Sequence, residues 1–363
     1  MGDLWWRTVD ALRDWQSGFV SWMTSTRHAA YAVAACRISL GLAVVGLLAS
    51  NFSTRSTWVG QASIWAEPAR SFSTFPELAL LDGASPDVLL VVYAVTLLAA
   101  VGFTIGWHTK ATNVVTYVGF IAVVAQNPVV GVQTDNLMRL ALLWMLLTRA
   151  GDHWSWDARR RMRIEYGEIS PRSWDEDVLP EWFANALHNA GLVALCTQTV
   201  LAYTGAGLDK IGQSAWQHGT ALYTTLQLPE SRPYPALADF VSQSSVVLAV
   251  LTYLVLFTQV FFGPLLLSTI SRRIVVVCAV TVAVIFAILF AAPWAQLAVI
   301  AVTVLFVSDR TWVAVEDRVL EIVDPLASRF GDRVLDTFDV VGDYGRDGID
   351  AVIRGTRRVL RRG

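Results

Sequence analysis

The sequence predicts an all-α, polytopic membrane protein with about eight transmembrane helices. Of its 363 residues, 54% are hydrophobic and only 16% are charged, whereas soluble domains carry about 25% charged residues. Fifteen tryptophans and nine tyrosines are typical of proteins with aromatic belts at both membrane interfaces. No nucleic-acid motif accompanies these features. We therefore expect a multi-pass protein of the cell membrane whose partners are membrane lipids and not nucleic acid.

Eight apolar runs approach the roughly 20 residues that a membrane span requires. The third is short, and the fourth contains the polar run Gln133-Thr-Asp-Asn136. Proline favours a helix boundary, so Asn127-Pro128 predicts a tight turn between these two. The predicted spans are 29–50, 87–106, 112–126, 129–148, 183–203, 244–268, 274–291 and 293–308.

The basic residues predict the orientation of these spans. Cytoplasmic segments of membrane proteins carry an excess of Lys and Arg. With eight spans, 22 of the 28 Lys and Arg residues fall in alternate segments that include both termini, four fall in the other segments, and two fall within spans. This split predicts that both termini lie inside and that the long loops 51–86 and 204–243 lie outside.

Two flanking segments border the predicted transmembrane domain of residues 29–308. Residues 1–28 form an amphipathic, tryptophan-rich segment. Residues 309–363 alternate apolar and charged residues at helical spacing and end in the basic run 354–362. This pattern favours helices lying on the inner leaflet, attracted to anionic lipid. A coiled coil that binds a partner is the alternative.

Lys210 is the first candidate for chemistry. It is one of two lysines in a chain with 26 arginines, and it follows the glycine-rich end of the fifth span. Arginine stays protonated in proteins, whereas a desolvated lysine can lose its proton and act as a base. The alternative is an outer-interface lysine whose ammonium group reaches water. Trp216 and His218 follow on the same side, and His218 could serve as an acid or base.

Ionisable residues inside spans are costly and are functional candidates by default. Arg37 lies in the first span, and Arg139 lies in the fourth, one turn after Asp135. Two arginines facing one cavity would suit a carboxylate or phenolate-like oxygen. Alternatively, Asp135 neutralises Arg139 in the favourable i,i+4 order, and Arg37 binds a carbonyl or a second carboxylate. We take Arg37, Asp135, Arg139, Trp216 and His218 as candidate pocket residues.

No metal site is predicted. Asp152, His153 and Asp157 follow the fourth span, but their spacing matches no ligand pattern. We interpret this segment as an interfacial anchor on the inner side. His188, alone at the start of the fifth span, is expected to have a structural role.

Three motifs together resemble a known family. The run Ala206-Gly-Leu-Asp-Lys-Ile211, followed by Trp216 and Gly219, is the first. Asn127-Pro128, then Asp135-Asn-Leu137 and Trp154-Ser-Trp-Asp157, is the second, and Arg37-Ile-Ser-Leu-Gly41 is the third. In this order they resemble the horizontally transferred transmembrane (HTTM) domain over about residues 30 to 310. That domain is shared by vitamin K-dependent gamma-glutamyl carboxylases and by bacterial membrane proteins similar to the sporulation-delaying protein maturation component.

The resemblance implies a possible activity. In the carboxylases, the lysine of the matching run is held to act as a base on vitamin K hydroquinone, and it falls on Lys210. The implied cofactor is a reduced quinone, and the implied substrate is a small peptide or a lipid. The carboxylases also carry a large domain after the spans, whereas only about 55 residues follow the last span here.

Two functions therefore follow from the sequence. The first is a lipid-embedded enzyme acting on a quinone or another isoprenoid, with Lys210 as the base. The second is a non-enzymatic membrane component for export, maturation or immunity of a small secreted peptide. A transporter is less favoured because no inverted repeat is visible.

Overall fold

The computed structural model describes residues 2–58, 68, 76–81, 83–127, 131–171, 178–319 and 321, and within them the regular structure is helical throughout. Pro128, in the predicted turn, and the tail from 322 onward lie outside the described residues. By its contacts the chain divides into residues 1–309 and residues 310–363. All sites considered below lie in the first unit.

Twelve of the described helices are used below and are numbered in chain order. They are α1 (Gly2–Ser25), α2 (Ala30–Ser50), α3 (Pro86–Ile105), α4 (Thr109–Val124), α5 (Gln133–Met145), α6 (Trp156–Glu165), α7 (Glu181–Ile211), α8 (Pro235–Gln243), α9 (Ser245–Val260), α10 (Thr269–Leu289), α11 (Pro293–Thr303) and α12 (Asp309–Val319). Shorter helical segments are Arg55–Trp58, Pro76–Leu78, Ser214–Gln217, Ala221–Gln227, Pro229–Ser231, Phe262–Leu265 and Val304–Phe306.

Each predicted span overlaps one of these helices. Among the described residues, α2, α3, α7 and α10 are long and apolar enough to cross a membrane. The count rises to six if α8 with α9, and α11 with α12, each form one span. The protein is therefore an all-α membrane protein with four to six candidate spans by length and composition.

Helix α2 is at the centre of the main core. It packs against α3 and α11, and α3 in turn packs against α4. Small residues allow the close contacts, because a side chain at Gly46 would collide with Trp294 and one at Gly41 with Thr104. Small residues at such interfaces are usual in membrane bundles, where close packing drives helix association.

Helix α7 joins the remaining elements. It packs against α1, α5 and α9. Asn189 holds the end of α1 by donating from Nδ2 to the carbonyls of Met23 (2.9 Å) and Thr26 (2.8 Å). At its other end, Gly207 approaches the backbone of Gln259 and Val260 in α9. These contacts position the cavity described next.

Candidate functional site

A cavity of about 890 Å³ lies along α7 and is bordered by α1, α5, α9 and α11. It follows α7 from Ala190 to Ala206, which is about 24 Å at a helical rise of about 1.5 Å per residue. Helix α5 runs antiparallel beside it, since Gln198 donates to the Leu137 carbonyl (3.1 Å) while Gly191 faces Trp144. The cavity is thus long enough for an extended lipid chain.

The two ends of this cavity differ in polarity. Near the start of α7 the lining is apolar, whereas the opposite end, from Gln198 to Ala206 on α7, carries amide and hydroxyl groups. The apolar lining comprises Phe19, Met23, Leu140, Trp144, Ala190, Val193 and Ala194. The polar lining comprises Gln133, Thr134, Asn136, Thr197, Gln198, Tyr203 and Gln259, and the remaining lining residues, Leu137, Leu201, Ala202, Ala206 and Val299, are apolar. Such a gradient suits an amphipathic molecule with a long apolar tail and a small polar head.

Two amide oxygens at the polar end have unused hydrogen-bonding capacity. The Oε1 atoms of Gln198 and Gln259 are buried and have no hydrogen-bond partner among the described residues. Buried acceptors without a donor are uncommon in native proteins and call for an explanation. Tyr203 does not supply the donor, because its hydroxyl donates to Thr303 Oγ1 (2.9 Å) while Thr303 itself donates to a carbonyl of α11. A bound hydroxyl would satisfy either amide oxygen.

The cavity opens to the side. Three of its lining residues are substantially exposed: Phe19 at 48%, Val193 at 44% and Leu201 at 66%. Apolar side chains exposed in this way are compatible with contact to lipid. A lipid could therefore enter the cavity from within the bilayer.

Lys210 lies one turn beyond the polar end. Its Nζ donates to the carbonyl of Ala206 (3.0 Å), and Ala206 lines the cavity. The same Nζ is 5.3 Å from the centre of the Trp216 ring, which is within cation–π range. Lys210 is half-buried. The structure thus brings Lys210 and Trp216 together beside the polar end of the cavity, outside its lining.

His218 is exposed, and its Nδ1 lies 2.7 Å from the Ser214 carbonyl. His218 therefore lies in the same short segment as Trp216, but its hydrogen-bonding contact is with Ser214 in the same turn. Its assignment as an acid or base stays a prediction.

The alternative in which Asp135 forms an ion pair with Arg139 is wrong. Asp135 Oδ2 accepts from the backbone N–H of Val132 (2.9 Å) at the start of α5, whereas Arg139 Nη2 donates to Asn136 Oδ1 (2.6 Å). The free N–H groups of a helix N-terminus attract a carboxylate, and here they outcompete the arginine one turn away. Asn136 lines the cavity, whereas Arg139 does not and is linked to the cavity through its hydrogen bond to Asn136.

Arg37 is fully buried and binds a loop rather than the cavity. Its guanidinium donates to the carbonyls of Ala150 (2.6 Å), His153 (3.3 Å) and Trp154 (2.5 Å). Arginine suits this position because its planar group offers five donors in fixed directions. The contacts match the alternative in which Arg37 binds carbonyls, and they place it away from Lys210 and Trp216.

The histidines and aspartates at the opposite end of the helices from Lys210 also have defined partners. His188 is buried between the Arg149 N–H (3.1 Å from Nδ1) and the His28 carbonyl (2.9 Å from Nε2), which confirms its structural role. Asp157 accepts from the backbone N–H groups of His108 and Thr109, both at 2.8 Å. Within the described residues, no three potential metal ligands lie together.

Sequence reasoning missed the two glutamines of the cavity. A single glutamine in an apolar run carries no charge, so attention to ionisable residues passed over Gln198 and Gln259. A usable signal existed, because any polar side chain within a span needs a partner in the apolar surroundings.

The comparisons with known proteins give one family. A model of the HTTM domain matches residues 25–312, which is most of the chain and includes Lys210, Trp216 and all of the cavity lining except Phe19 and Met23. No curated protein and no solved structure matches the chain. With an all-helical membrane fold and a family model that covers more than half of its length, the chain belongs to the HTTM domain family.

Proposed function

We propose that this protein binds a hydroxyl-bearing isoprenoid lipid, with a reduced quinone as the leading candidate, and that Lys210 acts as a base on its headgroup. The observation that carries the proposal is the polarity of the cavity. Its apolar length ends at two unpaired amide oxygens. Gln259 packs against α7 at Gly207, three residues before the half-buried Lys210, whereas Gln198 lies 12 residues before it.

The residues present fit such a lipid. An isoprenoid tail would lie along the apolar lining near Trp144 and Ala190, where burial of apolar surface favours binding. The hydroxyl head would donate to Gln198 Oε1 or Gln259 Oε1, the two acceptors without a partner in the described structure. When bound, a reduced quinone supplies weakly acidic hydroxyl groups and two electrons.

Lys210 would move a proton at its Nζ atom. The ammonium group now donates to Ala206 O, so it must lose a proton and turn from this carbonyl before it can act. The neutral amine would then take a proton from the headgroup hydroxyl, forming an N–H bond as the O–H bond breaks. The adjacent Trp216 ring would hold the resulting ammonium by a cation–π contact.

We further propose eight spans in the cell membrane with both termini inside. The 22-to-4 distribution of basic residues supports this topology. It puts Lys210 at the outer end of α7, where a lipid headgroup lies in the outer leaflet.

The test distinguishes a Lys210 that acts as a base from one that only supplies a positive charge. Lys210→Arg keeps the positive charge and the contact with Trp216, but arginine does not lose its proton in proteins. We expect Lys210→Arg and Lys210→Ala to lower the oxidation of added reduced menaquinone by oxygen by about 10²- to 10⁴-fold, the usual contribution of general-base catalysis. Full-length protein in nanodiscs, followed by quinone absorbance, gives the measurement.

Lys110→Arg, at the other lysine, is the matched control and should leave the rate unchanged. Full activity in Lys210→Arg would overturn the assignment of Lys210 as a base. If the purified wild type contains no quinone and shows no turnover, the hypothesis that the protein is an enzyme is overturned. That result would favour the role in export, maturation or immunity of a small peptide.

A further inference from the structure

Helix α1 contributes two side chains to the lipid cavity described above. Phe19 and Met23 lie about one helical turn apart and line the apolar end of the cavity, together with Ala190 on α7. Both residues precede residue 25, at which the matched HTTM domain begins. The apolar end of the site is therefore built in part by an element outside that domain.

Helix α1 is fixed against α7 by two buried asparagines. The last carbonyls of a helix have no partner within the helix. Here Asn185 donates from Nδ2 to the carbonyl of Thr24 (3.1 Å), and Asn189 binds the neighbouring carbonyls. Arg27, just after α1, donates from Nε to Asn185 Oδ1 (2.9 Å). These contacts hold the end of α1 beside the cavity before any ligand binds.

An aromatic stripe on α1 suggests an alternative role for Phe19, as a membrane anchor. Trp15, Phe19 and Trp22 recur at i, i+4 and i+7, and their neighbouring ring centroids lie 5.6 and 6.4 Å apart. All three side chains are exposed. Tryptophan is enriched at membrane–water interfaces, so the stripe suits a helix that lies along the bilayer surface. Phe19 also lines the cavity, whereas Trp15 and Trp22 do not, and this difference allows the two roles to be distinguished.

The distance along α7 determines which ligand tails reach α1. Ala190 lies eight residues before Gln198, about 12 Å along the helix. It lies 17 residues before Gly207, where Gln259 packs, which is about 25 Å. An extended chain advances about 1.2 Å per bond, so the four chain bonds of one isoprenoid unit add about 5 Å. A tail of two units headed at either amide oxygen ends before α1, whereas a tail of more than about five units reaches it from both.

We infer that α1 makes the site selective for long isoprenoid tails, because Phe19 and Met23 contact the far part of a tail, which short tails do not reach. Methionine is flexible and polarizable, which suits contact with a branched chain. The inference rests on the proposed lipid site and adds the class of tail to it. It does not depend on the chemistry of Lys210, which lies beyond the opposite end of the cavity.

The test measures the binding of two prenyl alcohols, geraniol with two isoprenoid units and solanesol with nine. Both carry a hydroxyl and no quinone ring, so their binding is separate from quinone turnover. Full-length protein in detergent receives each alcohol at a stated mole fraction, and native mass spectrometry and the shift of the thermal unfolding midpoint report binding. We expect Phe19→Ala to weaken solanesol binding about tenfold, the effect of losing roughly 55 Å² of apolar contact. Geraniol binding should not change.

Trp15→Ala is the matched control, because it removes a ring of the same stripe that lies outside the cavity lining. It should leave the binding of both alcohols unchanged. Phe19→Leu keeps an apolar side chain and should retain most of the solanesol binding. Circular dichroism checks that each variant is folded. An equal loss of both alcohols in Phe19→Ala, an equal loss of solanesol in Trp15→Ala, or no binding of either alcohol to the wild type would overturn the inference.

The tail selectivity and the proposed base at Lys210 fail separately. If solanesol binding depends on Phe19 but the protein shows no quinone turnover, the base is contradicted and the tail selectivity is supported. If quinone turnover is present but Phe19→Ala binds solanesol as the wild type does, only the tail selectivity is contradicted.

Discussion

Two glutamine oxygens carry the argument for a ligand. An acceptor buried without a donor costs roughly 1 to 3 kcal/mol, and both Gln198 and Gln259 bear one. Packing alone would favour leucine at either position. Their presence in the cavity lining is explained if a ligand donates to them.

This explanation predicts that Gln259→Leu raises the stability of the lipid-free protein and lowers the retention of bound lipid. In lipid-free protein the variant should be more stable by about 1 kcal/mol, because an unsatisfied polar group is replaced by an apolar one of similar size. Retention of the co-purified lipid should fall about fivefold, the loss of one hydrogen bond. Thermal unfolding before and after delipidation measures the first effect, and lipid extraction measures the second.

The exposed Gln243 on α8 provides the control. Gln243→Leu should change neither quantity. If Gln259→Leu lowers the stability of lipid-free protein, its oxygen has a structural partner and the ligand argument fails.

Single residues were only partly predictable from the sequence. Arg37 was recognised as a costly buried charge, but its partners are carbonyls at least 113 positions away, and backbone atoms leave no trace in a sequence pattern. Asp135 and Arg139 have the spacing of an ion pair, yet the helix N-terminus holds the carboxylate. Lys210 and Trp216 were placed together correctly because only five residues separate them.

At the level of the helices, hydropathy located the elements but not their ends. Helix α7 continues to Ile211, eight residues past the predicted end of its span, and α5 begins at Gln133 and ends at Met145, inside the predicted limits. Helix ends depend on capping groups and tertiary contacts, which a hydropathy profile does not contain. The extension of α7 is what carries Lys210 on a rigid helix.

The contact between α7 and α9 depends on Gly207. A Cβ atom there would lie 2.7 Å from the Val260 nitrogen and 2.9 Å from the Gln259 carbonyl carbon, both backbone atoms that cannot rotate away. We expect Gly207→Ala to lower the free energy of unfolding by about 1 to 3 kcal/mol through overpacking. It should also weaken lipid retention, because Gln259 lines the cavity. Thermal unfolding and lipid extraction measure both.

Gly205 lies two residues away on the same helix, with open space around its Cα. Gly205→Ala should be neutral or stabilising by up to about 1 kcal/mol, since alanine is the better helix former. Equal destabilisation by the two changes would show that backbone flexibility, and not the α7–α9 contact, matters here.

For the whole molecule, composition predicted a membrane protein and three motifs carried the resemblance to the HTTM domain, but the topology is still to be tested. If both termini lie inside, a reporter that is active only inside, fused after Glu165, should be active, whereas the same reporter after Gln227 should be silent. A reporter active only outside should give the reverse pattern. Activity of the inside reporter at both positions would contradict the eight-span topology.

The apolar helices were predictable because apolar length is a property of the chain alone, although only four to six of them qualify as candidate spans among the described residues. The cavity was not, because it arises between α1, α5, α7, α9 and α11, and its two ends are defined by residues more than 200 positions apart. Only the polarity of individual residues was visible beforehand. Their arrangement into a gradient required the packing of five helices.

The sideways opening of the cavity at Phe19, Val193 and Leu201 has a consequence for measuring affinity. A ligand that enters from the bilayer is concentrated in two dimensions, so occupancy depends on its mole fraction among the lipids and not on its aqueous concentration. Diluting a sample with buffer should leave occupancy unchanged, whereas adding detergent or inert lipid should empty the site. Affinities for this protein are therefore meaningful only at a stated ratio of ligand to total lipid.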